Sequence, residues 1–199
     1  MPKINLTDHE LQALKEQYNF ADAHARYSIA DYQGEVVSNF EEVWESAQNN
    51  KQHETESEFL STFFRSQGIY DQPDLKKCFI NYSSSVSISL AAQYCRLKKK
   101  KVLLHEPTFD NLPDLFEDHS VSIHAISEIE IAKFINGEYY LPRGIGALFL
   151  VLPNNPTGFA LLNNESNFRK CITKASDNGL ILIIDLCFSP FLNLSLIHI

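Results

Sequence analysis

The stretch GALFLVLPNNPTG, residues 146–158, decides the fold class, because an apolar run of strand length ends abruptly in turn-forming residues. Pro156 and Gly158 favour a tight turn, so the chain leaves the strand at one defined point. Asn155 stands at this exit, where its side-chain amide is able to donate a hydrogen bond to a ligand oxygen. Taken alone, the turn is equally compatible with a plain connection between two elements, and the neighbouring segments have to distinguish the two interpretations.

From about residue 75 onward, short apolar runs alternate with helical stretches. Continuous runs rich in β-branched residues are typical of strands buried on both faces. Strands that alternate with helices of this length imply βαβ units, so we predict an α/β domain at 75–199 with a mostly parallel sheet and helices on both faces. The predicted strands include CFIN at 78–81, KVLLHE at 101–106, LFLVL at 148–152 and LILIID at 180–185. Residues 1–74 are polar and helix-prone, which predicts a preceding N-terminal helical arm and small-domain part.

Composition excludes several classes of partner. The 199-residue chain carries a formal net charge of −8, which argues against nucleic acid and anionic membranes, because both reward clustered Lys and Arg. Its four cysteines lie far apart with no C-x-x-C spacing, so we predict no metal site and expect reduced thiols in a cytoplasmic protein. The polar N-terminal stretch MPKINLTDHELQ does not resemble a signal peptide, and no apolar run is long enough to span a bilayer.

Two of the predicted strands are followed by groups that suit a flat, phosphorylated ligand. Ser84 and Ser85 open a helix after CFIN, and N–H groups at a helix N-terminus together with serine hydroxyls can bind phosphate. Serine clusters also serve as ordinary helix caps. Phe109 follows KVLLHE in the segment PTFDN, where it could stack on an aromatic ligand or simply belong to the core.

The other two strand ends complete the pattern. Asp185 finishes the apolar strand LILIID, where a carboxylate needs a cationic or N–H partner, although it could equally cap the next element. Together with Asn155, the four strand ends offer a phosphate cradle, an aromatic face, an amide donor and a carboxylate. This set suits a phosphorylated aromatic cofactor with a ring nitrogen, because a carboxylate keeps a pyridinium protonated and the ring can then act as an electron sink.

These motifs resemble those of the fold-type I pyridoxal-phosphate enzymes, the aspartate aminotransferase superfamily. NNPTG is similar to its N-P-x-G signature, PTFDN to the segment with the ring-stacking aromatic, and IIDLCF at 183–188 to the strand with the aspartate that pairs with the pyridine nitrogen. The resemblance implies pyridoxal 5'-phosphate as cofactor and a homodimer for the full-length enzyme. It implies that the phosphate is bound by Ser84, Ser85 and the backbone of Val86, the ring by Phe109, its hydroxyl oxygen by Asn155 and its nitrogen by Asp185.

A narrower resemblance covers about residues 5–188. Phe188 stands where common aminotransferases carry a tyrosine that bonds the ring oxygen. The segments NLTDHELQAL, NFADAHAR and HEPTFDN are similar to the pyridoxal-phosphate-dependent arginine oxidases and hydroxylases of enduracididine-type biosynthesis, which oxidise free L-arginine with dioxygen. This resemblance implies that His24 is an active-site imidazole that handles protons or peroxide species. Glu10 and Asp22 are its candidates for pairing with the guanidinium of the substrate, with a surface histidine and a helix-capping glutamate as the plain alternatives.

The superfamily binds its cofactor through a lysine a few dozen residues beyond the aspartate, and an arginine nearer the C-terminus holds the substrate carboxylate. Since this chain has 14 residues after Asp185, we expect an N-terminal fragment that is inactive alone, with LNLSLIHI at 192–199 as a foreign tail. Two other functions stay open: a conventional class I/II aminotransferase and a degenerate, non-catalytic binding domain. A dinucleotide-binding domain is disfavoured, because no G-x-G-x-x-G follows a strand.

Overall fold

The computed structural model describes residues 11–18, 31–67, 74–160 and 164–188, with the side chains of 31–33 left out. Three of the predicted site residues, Glu10, Asp22 and His24, lie outside these ranges. The chain divides into two compact units, Met1–Ile80 and Asn81–Ile199. A domain boundary at residue 74 stays a prediction.

The first unit is helical in its described part. Its helices are α1 (Asp31–Ser38), α2 (Phe40–Asn49) and α3 (Gln52–Ser66), followed by a 3₁₀ turn at Leu75–Lys77. Neither α2 nor α3 contains a buried residue. The N-terminal helical segment predicted from the sequence is therefore present.

The second unit is built around a parallel sheet. Its strands are β1 (Lys101–His105), β2 (Ile123–Ile126), β3 (Ile145–Val151) and β4 (Ile181–Asp185), in the order β2-β1-β3-β4. All three pairings are parallel. The helices are α4 (Ser84–Leu97), α5 (Asn111–Asp118), α6 (Glu128–Asn136) and α7 (Glu165–Asp177). The α/β fold predicted from the sequence is confirmed.

One predicted strand is wrong. The segment CFIN, residues 78–81, has no regular secondary structure and pairs with none of the four strands. Phe79 is 82% exposed there, so the apolar side chains that made the segment look like a strand are not part of the sheet core. A short apolar run does not by itself specify a strand, because strand formation also requires a partner edge.

Two hydrophobic cores cover opposite faces of the sheet, because side chains alternate along a strand. On one face, α6 and α7 pack on Leu103, Leu148 and Leu150. On the other, α4 and α5 pack on residues that include Val102, Leu104, Ala147, Phe149 and Val151. The central strand β3 is buried beyond its first residue, which explains why its sequence is a continuous apolar run.

Local signals define the helix ends. The side chain of Ser83 caps α4 by accepting from the N–H of Val86, and Asn164 caps α7 in the same way. Ser127 and Glu130 form a reciprocal capping box at the start of α6, which ends at Gly137 in a left-handed conformation with φ of 79°. No helix in the described part of the chain is long and apolar enough to cross a membrane.

The strand order reverses between β1 and β3. The chain runs outward from β1 to β2 in one direction and from β3 to β4 in the other. In open parallel sheets, ligands bind beyond the carboxyl ends of the strands at such a switch point, because the two connections diverge to opposite faces and leave a crevice. The segments that follow β1 and β3 therefore border the expected ligand site.

Candidate functional site

A cavity of about 260 Å³ opens at the carboxyl ends of β3 and β4. Its volume is slightly below the lower end, about 300 Å³, of common small-ligand pockets. The lining comes from the start of α4, the segment after β1, and the ends of β3 and β4, and it consists of Ser84, Ser85, Ile88, Phe109, Asn111, Leu112, Val151, Asn155, Asp185, Cys187 and Phe188.

Five predicted cofactor-binding residues line this one cavity, although they come from four separate segments: Ser84, Ser85, Phe109, Asn155 and Asp185. Val86 is not among the lining residues, and its N–H donates to Ser83 Oγ at 3.4 Å. The sequence thus predicted five of the eleven residues that line the cavity, and their roles toward a ligand stay predictions.

Strand parity explains why residues so far apart converge. Ile181 and Ile183 face the core beneath α4 and α5, and Asp185 has the same parity, so its side chain belongs to the face that carries α4. The N-terminus of α4 contributes Ser84 and Ser85 from that side. The cavity therefore places the carboxylate and the two hydroxyls on the same face of the sheet.

We call the part of the cavity formed by Ser84, Ser85, Asp185 and Cys187 the β4–α4 wall. Cys187 N donates to Asp185 Oδ1 at 2.9 Å. The Cys187 thiol contacts both the Asp185 carboxylate and the Ser84 hydroxyl, and its pKa is raised to about 11, first by burial and then by Asp185. This thiol is consequently a neutral link between the carboxylate and the helix N-terminus.

Ser85 has a partner of its own on this wall. The side-chain amide of Asn111 donates to Ser85 Oγ at 3.3 Å, which connects the start of α5 to the start of α4. An amide and two hydroxyls beside a helix N-terminus form a donor-rich patch suited to an anion.

We call the opposite part, formed by the loop 106–110 after β1 and the turn 152–158 after β3, the β1–β3 wall. Asn154 is 3% exposed, and its Nδ2 donates to Pro107 O at 2.7 Å and to Thr157 Oγ1 at 3.0 Å. Thr157 Oγ1 in turn donates to Glu128 Oε1. The two segments that carry Phe109 and Asn155 are thereby joined directly.

Behind this wall, on the face covered by α6 and α7, lies a buried histidine. His105 has no exposed surface, its Nε2 is 3.9 Å from Glu128 Oε1, and its ring contacts that of Phe159 edge-on at 5.4 Å between centroids. Burial lowers the pKa of His105, and Glu128 opposes this shift. The imidazole therefore favours its neutral form.

A larger and more open depression of about 670 Å³ lies along α7. It is lined by surface residues of a single helix and its cap, such as Asn164, Arg169 and Lys170, and lies at none of the strand ends. Its size alone does not make it a candidate ligand site. The guanidinium of Arg169 is already paired with the carboxylate of Glu165 at 2.8 Å.

Sequence reasoning missed Asn111 and Cys187 as parts of the cavity. Both follow a predicted residue by two positions, Phe109 and Asp185, so proximity to those motifs was the available signal. Which side of the chain they would face depends on the path after each strand, and residue types alone do not determine that path.

Comparisons with known proteins address the fold. No protein-family model matches the chain, and no curated protein matches it significantly. MppP, in a structure soaked with the product 2-ketoarginine, is 27% identical with a TM-score of 0.70, and the match covers 82% of this chain and 46% of that chain.

Two further solved structures have the same fold at lower identity. YbdL from Escherichia coli, described with a methionine aminotransferase function, is 14% identical with a TM-score of 0.64, over 94% of this chain and 50% of that chain. Cystalysin from Treponema denticola, which contains a pyridoxal 5'-phosphate cofactor, is 12% identical with a TM-score of 0.58, over 82% and 42%. The chain spans about half the length of these solved relatives. The family resemblance predicted from the sequence is confirmed at the level of the fold.

Proposed function

We propose that this chain, whose fold is that of the fold-type I pyridoxal-phosphate-dependent enzymes, is the cofactor-binding part of such an enzyme acting on a free amino acid. The observation that carries the proposal is the single cavity that gathers Ser84, Ser85, Phe109, Asn155 and Asp185. Its donor set fits pyridoxal 5'-phosphate, because hydroxyls at a helix N-terminus suit the phosphate and a carboxylate suits a protonated ring nitrogen.

Each residue would have a separate task. Ser84 and Ser85 bind the phosphate with their hydroxyls, and the α4 N-terminus supports them through its partial positive charge. Phe109 covers one face of the ring, and the amide of Asn155 donates to the ring hydroxyl oxygen. Asp185 accepts from the ring nitrogen and keeps it protonated. The bound cofactor supplies an electron sink for the carbanion formed at the substrate Cα.

As substrate we propose L-arginine, oxidised by dioxygen. The support is the N-terminal sequence resemblance to arginine oxidases, together with the similarity to MppP, whose structure was soaked with 2-ketoarginine. In this reaction the Cα–H and Cα–N bonds break, dioxygen takes two electrons and becomes hydrogen peroxide, and water supplies the keto oxygen as ammonium leaves. In this proposal His24 handles the protons, and Glu10 and Asp22 pair with the guanidinium.

A conventional aminotransferase is the second candidate, favoured by the similarity in fold to YbdL. Incubating the full-length protein with arginine separates the two activities. Oxygen uptake with release of ammonia supports the oxidase. Amino transfer that depends on an added keto acid, without oxygen uptake, supports the aminotransferase.

The cofactor proposal itself is tested by titrating the purified chain with pyridoxal 5'-phosphate and following its absorbance and circular dichroism. Ser84→Ala with Ser85→Ala should weaken binding, whereas Ser176→Ala, an exposed serine at the end of α7, should not. No lysine belongs to the described cavity lining, so borohydride reduction followed by peptide mass analysis would identify any lysine of this chain that binds the cofactor covalently. Absence of binding by both the chain and the full-length protein would overturn the proposal.

Two smaller proposals have tests of their own. A chain that binds the cofactor without turnover of any amino acid, in its full-length form, would support a non-catalytic binding domain. The homodimer expected for the full-length protein is tested by sedimentation equilibrium, where a monomer at all concentrations would contradict it.

A further inference from the structure

A buried asparagine joins the two segments that bear Phe109 and Asn155. Asn154 is 3% exposed, and its Nδ2 bonds Pro107 O at 2.7 Å, across 47 residues of sequence. Pro107 stands two residues before Phe109, and Asn154 directly precedes Asn155. A single side chain thereby connects the loop after β1 to the turn after β3 at the switch point of the sheet.

The partners of Asn154 determine its orientation. Pro107 O is a carbonyl and accepts only, so the group facing it has to be the amide nitrogen. Thr157 Oγ1 donates to Glu128 Oε1, so it accepts from Asn154 Nδ2 at 3.0 Å. Both protons of the amide are thus used. An aspartate of the same shape would carry no N–H proton to donate to either partner.

The backbone of Asn154 closes the same turn. Its N–H donates to Phe159 O at 3.0 Å, and its carbonyl accepts from Gly158 N at 2.8 Å. Phe159 N also donates to Thr157 Oγ1 at 3.1 Å. The turn that carries Asn155 is therefore closed from inside, and its attachment to the β1 loop passes through the Asn154 amide.

A purely apolar residue would be simpler to bury at this position. The Oδ1 atom of Asn154 is buried and has no hydrogen-bond partner among the described residues, which costs free energy. Leucine has a similar size and would avoid this cost. The two bonds donated by the amide are what an apolar side chain could not provide.

We propose that Asn154 is a positioning residue that fixes the separation between Phe109 and Asn155, and hence the width of the slot for the cofactor ring. This inference rests on the proposed function, since the slot is defined by the ring it would hold. Asn154 acts through its neighbours and does not line the cavity.

The test compares Asn154→Ala and Asn154→Asp with Asn178→Ala. Asn178 is a matched control, because its Nδ2 also donates to a backbone carbonyl at 2.7 Å, but locally, on the exposed end of α7. Hydrogen exchange without cofactor is measured on peptides covering 106–110 and 152–160. We expect the Asn154 variants to exchange faster than the wild-type chain in both segments, and the control variant to exchange at the wild-type rate.

Two small ligands separate the parts of the cavity. Pyridoxal reports on the ring slot and inorganic phosphate on the donor patch at α4. Asn154→Ala should weaken binding of pyridoxal about tenfold, the usual consequence of losing one or two buried hydrogen bonds, while phosphate affinity stays unchanged. Thr157→Val, at an exposed position, removes one acceptor of the amide and should give a smaller effect in the same direction.

Each outcome decides one of the two proposals. Unchanged exchange and unchanged pyridoxal affinity in both Asn154→Ala and Thr157→Val would overturn the positioning role, as would a lower Tm without either change. Failure of the wild-type chain and of the full-length protein to bind pyridoxal or its phosphate would overturn the proposed function, and exchange then still reports whether Asn154 joins the two segments.

Discussion

The two walls of the cavity are held in different ways. The β1–β3 wall is joined by a buried amide that spans 47 residues of sequence. In the β4–α4 wall, the bond from Cys187 N to Asp185 is local, spanning two residues, and the long-range bond from Asn111 Nδ2 to Ser85 Oγ is longer, at 3.3 Å. Ser84 is exposed there and Cys187 is only partly covered. Buried long-range bonds open rarely, whereas exposed local ones open readily. The β1–β3 wall is therefore formed in advance, while the β4–α4 wall can adjust to an occupant.

The largest expected effect concerns the core packing beneath the β1–β3 wall. Phe149 on β3 is 1% exposed and contacts Phe116 edge-on at 5.5 Å. Phe149→Ala should lower the free energy of unfolding by about 3–5 kcal/mol, because it leaves a cavity in the core. Chemical denaturation measures this loss. Phe79→Ala is the control at an 82% exposed position and should change stability by less than about 0.5 kcal/mol.

A second prediction separates the charge of Asp185 from its shape in the β4–α4 wall. Asp185→Asn keeps the size of the side chain but removes the charge that would hold the ring nitrogen protonated. Under the proposed function, we expect turnover to fall about a hundredfold or more, the usual scale for losing one well-placed electrostatic partner. Inorganic phosphate should still bind. Equal loss of phosphate binding would mean that Asp185 serves mainly to hold the wall together.

Much of this organisation is readable in the sequence, for definite reasons. Continuous apolar runs specified β3 and β4, because helices pack on both faces of the sheet and a polar residue is accommodated only where these two strands end. That rule also located Asn155 and Asp185. The wrongly predicted strand CFIN and the unpredicted bond from Asn154 to Pro107 have a common cause. Both depend on partners from distant segments, which no local pattern encodes.

A third prediction concerns how the free energy of unfolding depends on pH through His105, behind the β1–β3 wall. Burial lowers the pKa of His105 from its usual value of 6.5, so the unfolded chain binds a proton more readily than the folded one. The contribution of His105 is present above pH 6.5 and is lost as the pH falls through the lowered folded pKa. The loss is at most about 1.4 kcal/mol per pH unit. His105→Phe should flatten this decline in denaturation curves, whereas His124→Phe, at an exposed position, should not.

The smallest expected effect is on the alkylation rate of Cys187 in the β4–α4 wall. With a pKa of about 11, the Cys187 thiol should be alkylated at pH 8 about tenfold more slowly than an ordinary thiol, since its lower thiolate fraction is partly offset by higher nucleophilicity. Asp185→Asn removes one cause of the raised pKa and should speed the reaction a few-fold. Mass spectrometry with iodoacetamide measures both rates, and buried Cys171 is the internal control. An unchanged rate in Asp185→Asn would contradict the contact.

The pairing of Val151 with Asp185 has a consequence for mutational tolerance. Removing one residue from within β4 would shift its register by one position and turn Asp185 toward the face that carries α6 and α7, away from Ser84. The same deletion in the exposed end of α7, near Asn178, would leave the strand pairing intact. Insertions and deletions should therefore be tolerated at helix ends. Within the five residues of β4 they should be selected against, whichever amino acids stand there.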